Sequence, residues 1–127
     1  MGAGLLALVG VGLVDGDAEA RELARRLVHL RVLPDAQGRM NRSLLEAGAT
    51  LGVVSQFTLF GDARHGRRPS YTAAAPAECA EPLLDALVAE ARALGASVVT
   101  GRFRAQMDVS LVNDGPVTIL LDTERRF

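Results

Sequence analysis

Hydrophobic and polar positions along this chain follow two periods, and these sort it into strands and helices. Leu5 to Gly12 is an apolar run that ends at the Asp15-Gly16 turn, the pattern of a buried strand. Beyond it Ala20, Leu23, Ala24, Leu27 and Val28 fall at i, i+3, i+4, i+7 and i+8. That spacing puts them on one buried stripe of a helix over about Ala18 to Leu30, with Asp17 placed to cap it. Val32 and Leu33 suggest a short strand before the turn at Pro34 to Gly38, and Thr50 to Leu59 is rich in β-formers and reads as a central strand. Ala80, Leu83, Leu84, Leu87, Val88 and Ala91 repeat the helical stripe between Pro76 and Leu94, with Gly95 as the stop signal. The last third reads as three strands, Ser97 to Thr100, Met107 to Val112 and Val117 to Leu121. The final two are joined through Asn113-Asp114-Gly115-Pro116.

The order β, α, β, β, α, β, β, β with short final connections predicts an α+β domain, its sheet mixed or antiparallel and carrying two helices. A chain of 127 residues is expected to form a single domain over 1–127, and surface scaling lets about two thirds of the unfolded surface be buried. With 49% hydrophobic and 23% charged residues it is not a disordered chain, and no apolar run approaches membrane-spanning length. Leu5 to Leu13 has neither a basic lead nor a small-residue cleavage site, so it reads as a strand and not a signal peptide, and the expected compartment is cytoplasmic.

Charge changes the picture in one place. The net charge of -1 argues against broad electrostatic capture of nucleic acid. All fourteen basic residues are arginine, however, and Arg64, Arg67 and Arg68 cluster beside His65 in the Gly/Pro-containing stretch Gly61 to Ala75. Arginine forks suit phosphate, and a loop of this length is usually functional. The alternative reading is a solvated loop.

Candidate chemistry is sparse. Cys79 is the single cysteine, so no internal disulfide or thiolate cluster can form. Ser55, Thr58 and Cys79 are nominal nucleophiles, served by only two histidines, His29 and His65; a Ser-His-Asp triad is not expected. No helix carries His or carboxylates at ligand spacing, so neither a metal nor any other cofactor is expected. Ser55-Gln56-Phe57-Thr58 puts three polar side chains at the end of an apolar strand, which reads either as a satisfied hydrogen-bond cluster or as a ligand site. Gly115-Pro116 reads either as an ordinary hairpin turn or as a cis peptide presenting two backbone carbonyls in a fixed direction.

These segments and their surroundings resemble the D-aminoacyl-tRNA deacylase family. The match runs through Leu5 to Gly12, Leu30-Arg31-Val32, Met40 to Leu44, Val53 to Asp62, Gly66 to Ser70, Thr100 to Phe103 and Val112 to Thr118. The resemblance implies a strongly curved, barrel-like sheet with two flanking helices in a homodimer with cross-subunit active sites. It implies hydrolysis of the ester joining a D-amino acid to the terminal ribose of tRNA, and of glycine mischarged on tRNA-Ala, as proofreading in translation. Ser55, Gln56, Phe57 and Thr58 then form the catalytic floor. Gly115 and Pro116 match a Gly-cisPro pair that enters the partner's pocket, holds the α-ammonium group through its carbonyls and excludes an L side chain. Arg64, Arg67 and Arg68 fall on the tRNA-facing surface. Water attack assisted by backbone and substrate accounts for the missing triad better than a Thr58 acyl intermediate.

The resemblance also implies an opening strand and hairpin ahead of Leu5, with an arginine that fixes the Gly-cisPro carbonyls. Nothing in this sequence matches them, and a start codon assigned too late is the expected reason. Three other classes remain open from the residues: a non-catalytic binder of the tRNA acceptor end, an inactive truncated homologue serving as an oligomerisation module, and a thiol hydrolase built on Cys79.

Overall fold

The computed structural model describes residues 1–127. Strand β1 (Gly4–Val9) leads through a tight turn into helix α1 (Asp17–His29). A small antiparallel pair follows, β2 (Leu33–Pro34) with β3 (Met40–Arg42), then a single-turn helix α2 (Leu44–Ala47). Strand β4 (Thr50–Ser55), helix α3 (Ala77–Ala93) and strand β5 (Ser97–Thr100) complete the regular structure.

The main sheet has the order β1-β4-β5, with both pairings parallel. Each connection passes through at least one helix, as parallel neighbours require. Leu51 and Val53 of β4, Val9 of β1 and Val98 of β5 turn one face toward the helices. Ala20, Ala24 and Val28 of α1 and Leu84, Leu87, Val88 and Ala91 of α3 meet them in one cluster of buried residues. The stripes read from sequence are therefore the core faces of both long helices.

The domain is α+β with three helices, and several expectations are corrected. No sheet is closed, so the barrel-like curvature is absent; the pairing is mixed over the molecule as a whole, parallel in β1-β4-β5 and antiparallel in β2-β3. The segments Met107 to Val112 and Val117 to Leu121 form no strands. Their apolar pattern is right, but a strand exists only through a neighbour's ladder, and no segment of this chain pairs with them. Gly16, not Asp17, precedes α1; its N–H donates to Glu19 Oε2 at 2.9 Å, while Asp17 pairs with Arg21 at 2.8 Å.

Helix α2 escaped the periodicity because one turn is too short to show a stripe. Its signal is the capping box Ser43-Leu44-Leu45-Glu46. Ser43 Oγ accepts the Glu46 N–H and Glu46 Oε1 accepts the Ser43 N–H, both at 3.1 Å. These bonds hold the Glu46 carboxyl below its ordinary value, and Gly48 at φ 62° ends the turn in the left-handed region.

The chain keeps 8618 Å² accessible, about 2,100 Å² more than a folded chain of this mass ordinarily exposes. Much of the apolar part lies in the last third, where Leu111, Val112, Ile119 and Leu120 are all exposed.

Leu87, 1% exposed, sits at the contact of α3 with the core. Leu87→Ala is expected to cost about 2–5 kcal/mol, whereas Val99→Ala, on an open face, stays within about 0.5 kcal/mol. Urea denaturation of the two variants measures both.

Candidate functional site

The site is built where the pairing of β4 runs out. Up to Val53 the strand has neighbours on both sides, and Gly101 N–H closes the β5 side by donating to Val53 O at 3.1 Å. Beyond that only β1 remains, and the Gln56 N–H makes the last link to Val9 O at 2.8 Å. The chain then turns into a 3-10 helix over Phe57–Phe60. The strand expected over Thr50 to Leu59 therefore stops at Ser55. In an open parallel sheet the carboxyl ends of the strands are where ligands bind.

This turn is docked by its last residue. The Phe60 ring lies on Gly10 and Gly12, so close that a Cβ at Gly10 would come within 2.9 Å of Phe60 Cε2 and one at Gly12 within 3.2 Å of Cζ. Both glycines lie within three residues of the end of β1, and their bare backbones make the seat for the ring. Around the same seat Gly12 bridges to Ala74, the Ala75 N–H donates to Val11 O at 2.8 Å, and the Gly12 N–H donates to Asp15 Oδ2 at 2.7 Å.

The four residues expected together are divided by this geometry. Gln56 and Thr58 are joined, the Gln56 side-chain amide donating to Thr58 Oγ1. Phe57 and Thr58 are exposed and Gln56 is half-buried. Ser55 instead borders a cleft of about 320 Å³ between α3 and the ends of β4 and β5, which it shares with Glu81, Asp85, Arg92, Thr100 and Phe103. The partner of the Thr58 hydroxyl is an amide and not a histidine, so no general base activates it.

Gly115 and Pro116 stand in an exposed turn, and the peptide bond between them is cis. The turn is held from within by Asn113 Oδ1, which accepts the Val117 N–H at 2.9 Å. Gly115 has φ 138°, and a Cβ there would lie 2.8 Å from Val117 Cγ2. Two constraints therefore require glycine at this position.

The arginine loop is tied at its neck. Asp62 and Ser70 exchange backbone hydrogen bonds of 2.7 and 2.9 Å as an isolated antiparallel bridge. Arg64, Arg67 and Arg68 lie inside it, but they are not equivalent. The Arg64 guanidinium is held bidentately by Asp62, with Nε to Oδ1 at 2.9 Å and Nη2 to Oδ2 at 2.6 Å. These bonds, with the Arg64 backbone N–H to Oδ1 at 3.0 Å, lower the Asp62 carboxyl to about 2 from its ordinary 3.8. The folded value is the lower one, so the clasp is complete above pH 4 or so and is lost only as pH falls toward 2. Arg67 and Arg68 make no salt bridge and remain free for an external anion. Cys79 is free and exposed. No three His, Cys, Asp or Glu side chains converge into a group that could hold a metal ion.

Sequence reasoning missed the Phe60 seat and Tyr71. The ring of Tyr71 meets Phe57 edge-on with centroids 5.2 Å apart. The available signals were the glycines at positions 10 and 12 and a lone tyrosine beside the arginine cluster.

Comparison with known proteins places this geometry in context. A family model described as D-Tyr-tRNA(Tyr) deacylase matches residues 1–122. A D-aminoacyl-tRNA deacylase of Roseiflexus sp. (strain RS-1) is 58% identical over 123 residues, which cover 97% of this chain and 79% of that protein. A protein of the same name from Heliobacterium modesticaldum is 52% identical over 122 residues, covering 96% of this chain and 81% of its own. Among solved structures, one titled c-Myc DNA Unwinding Element Binding Protein superposes with a TM-score of 0.90 at 33% identity, covering 96% of this chain and 83% of that one.

The Phe60 seat is directly testable. Gly10→Ala is expected to force the ring outward and cost about 1–3 kcal/mol, while Gly2→Ala, with nothing within 4 Å of its added carbon, leaves the melting temperature unchanged. Thermal unfolding of the two variants checks this.

Proposed function

The chain belongs to the D-Tyr-tRNA(Tyr) deacylase family, and on that basis we propose how its own residues carry out the hydrolysis of D-aminoacyl-tRNA. The protein is a D-aminoacyl-tRNA deacylase, a hydrolase of aminoacyl-tRNA esters. The observation that carries the assignment of its site is the Gln56-Phe57-Thr58 turn at the carboxyl end of β4, seated on Gly10 and Gly12.

In this reading Ser55, Gln56, Phe57 and Thr58 form the floor under the terminal adenosine and the ester. Thr58 Oγ1 accepts the Gln56 amide, so its own proton is free to donate to the ester carbonyl oxygen and to the negative charge that develops there. The same bond engages the oxygen's lone pair and makes Thr58 a poor nucleophile. Water attacks the carbonyl carbon, the bond to the ribose oxygen breaks, and that oxygen leaves with the proton that the attacking water gives up. The aminoacyl ester is already activated and carries a neighbouring ribose hydroxyl, so positioning supplies most of what the reaction needs.

Chirality is assigned to Gly115 and Pro116 from a second copy of the chain. Their carbonyls accept hydrogen bonds from the substrate's α-ammonium group. With ammonium and ester both held, inversion at Cα exchanges hydrogen and side chain, so an L side chain is driven into the Gly115-Pro116 backbone and a D side chain leaves it. Glycine has no side chain to exclude and is accepted. The exposure of this turn and of the apolar last third supports a homodimer with cross-subunit sites. Arg67 and Arg68 face tRNA phosphates, while Arg64 is folded back onto Asp62 at the neck of the loop.

The folded protein, at twice 13.4 kDa by light scattering, is expected to release amino acid from D-tyrosyl-tRNA and glycyl-tRNA but not from L-tyrosyl-tRNA. Thr58→Ala lowers turnover without abolishing it. L turnover comparable to D, or a trapped aminoacyl-Thr58 adduct, overturns the assignment.

For the loop, Arg67→Ala and Arg68→Ala should each weaken tRNA binding and lower the salt slope by up to about one unit. Arg64→Ala should do less, because Asp62 already occupies its guanidinium. Filter binding across a salt series measures all three.

A further inference from the structure

The arginine loop and the Gln56-Phe57-Thr58 turn meet at one side chain that the reading above does not use. Tyr71 directly follows Ser70, the second half of the neck that closes the loop. Its ring packs edge to face on Phe57 at an interplanar angle of 68°, the only aromatic pair in the structure. On its other side it passes Gly61 so closely that a Cβ there would lie 3.0 Å from Tyr71 Cε1. The Tyr71 carbonyl accepts the Ala74 N–H at 3.1 Å, and Ala75 is tied to Val11. The Tyr71 backbone is therefore tied down, and its ring lies close to Gly61 as well as to Phe57. Phe57 is 57% exposed and Tyr71 37%; Phe57 opens the 3-10 turn, and Tyr71 is its one aromatic neighbour.

We propose that Tyr71 is a positioning residue for the deacylase reaction: it holds the Phe57 ring against the substrate and couples phosphate capture by Arg67 and Arg68 to the orientation of that ring. The inference rests on the reading that Phe57 lies in the substrate pocket. An edge-to-face pair puts the positive ring edge against the negative π face, which sets an orientation as well as a distance. The loop's side-chain hydrogen bonds do not use the Tyr71 hydroxyl, so the ring and not the oxygen does the positioning. The route of the coupling is short: the neck of the loop ends at Ser70, and the next residue along the chain is the one that touches Phe57.

The chain has one tyrosine and no tryptophan, so 3-fluorotyrosine incorporation gives a single 19F signal that reports on this ring alone. That resonance should shift when uncharged tRNA binds the wild type, and should shift much less in an Arg67→Ala, Arg68→Ala double variant at saturating tRNA. In steady-state kinetics with D-tyrosyl-tRNA, Tyr71→Ala and Tyr71→Leu should each lower kcat about three- to tenfold with KM nearly unchanged. Tyr71→Phe should restore wild-type kcat. Phe57→Ala should lower kcat at least as far, and adding Tyr71→Ala to it should cost nothing more. Recovery by Tyr71→Leu would mean the ring only fills volume, and a full additional loss in the double variant would mean the two rings act independently; either overturns the proposal. Phe57→Ala without effect would instead overturn the underlying reading of the pocket. Loss of kcat in Phe57→Ala with none in Tyr71→Ala would leave that reading intact and overturn the positioning role alone.

Discussion

Strand β4 is held on both edges, and the rest of the molecule takes its geometry from that strand. Its pairing with β1 fixes the sequence register of the two segments that later meet in the site, since Val9 lies opposite Ser55. The pairing with β5 ends at Val53. The chain beyond it is therefore anchored on one side and open on the other. An interior strand that loses one neighbour before the other presents its following residues at an edge, with a rigid base beneath them. Gln56, Phe57 and Thr58 occupy that edge.

What keeps this edge ordered is one ring seated on bare backbone, together with backbone hydrogen bonds. Gly10 and Gly12 accept the Phe60 ring because they carry no Cβ, and the Gln56 N–H and the Ala75 N–H reach the same short stretch at the end of β1, Val9 to Gly12. Two segments far apart in sequence, one around Gln56 to Phe60 and one at Ala74 and Ala75, thus converge on the four residues Val9 to Gly12. The polar groups remain at the surface while their positions are set by contacts made on the other side of the turn. On the site assignment proposed above, that suits a reaction in which an activated ester needs orientation more than it needs a strong base.

The last third of the chain obeys a different logic. Its apolar residues alternate as a strand's do, yet they remain unpaired and exposed, and the accessible surface is well above what a chain of this mass usually keeps. On the homodimer reading proposed above, this is the surface that the second copy covers. The electrostatics divide in the same way between internal and external use. Asp62 spends its carboxylate on Arg64 and shapes the loop, while Arg67 and Arg68 stay free on the outside.

The two long helices were legible from the sequence almost to their ends, because a stripe at i, i+3, i+4 and i+7 is a local property that every packed helix must show. Strands β1 and β5 and the start of β4 were legible for a similar reason, as short apolar runs bounded by turn residues. The ordered motifs from Val53 to Asp62 and Val112 to Thr118 carried the family, since they are matched residue by residue and need no fold to be read. The one-turn helix at Leu44–Ala47 was written in its capping box, but too briefly for periodicity. Only the tertiary structure decided the parallel order β1-β4-β5, the end of β4 at Ser55 and the absence of ladders after Thr100. Whether a strand forms depends on a partner's N–H and C=O groups, and propensity does not say where those groups are. The separation of Ser55 from Thr58, the capture of Arg64 by Asp62 and the contact of Tyr71 with Phe57 also belong to the folded chain. Each depends on where a turn sends a side chain, and a turn's direction is set by what it docks against.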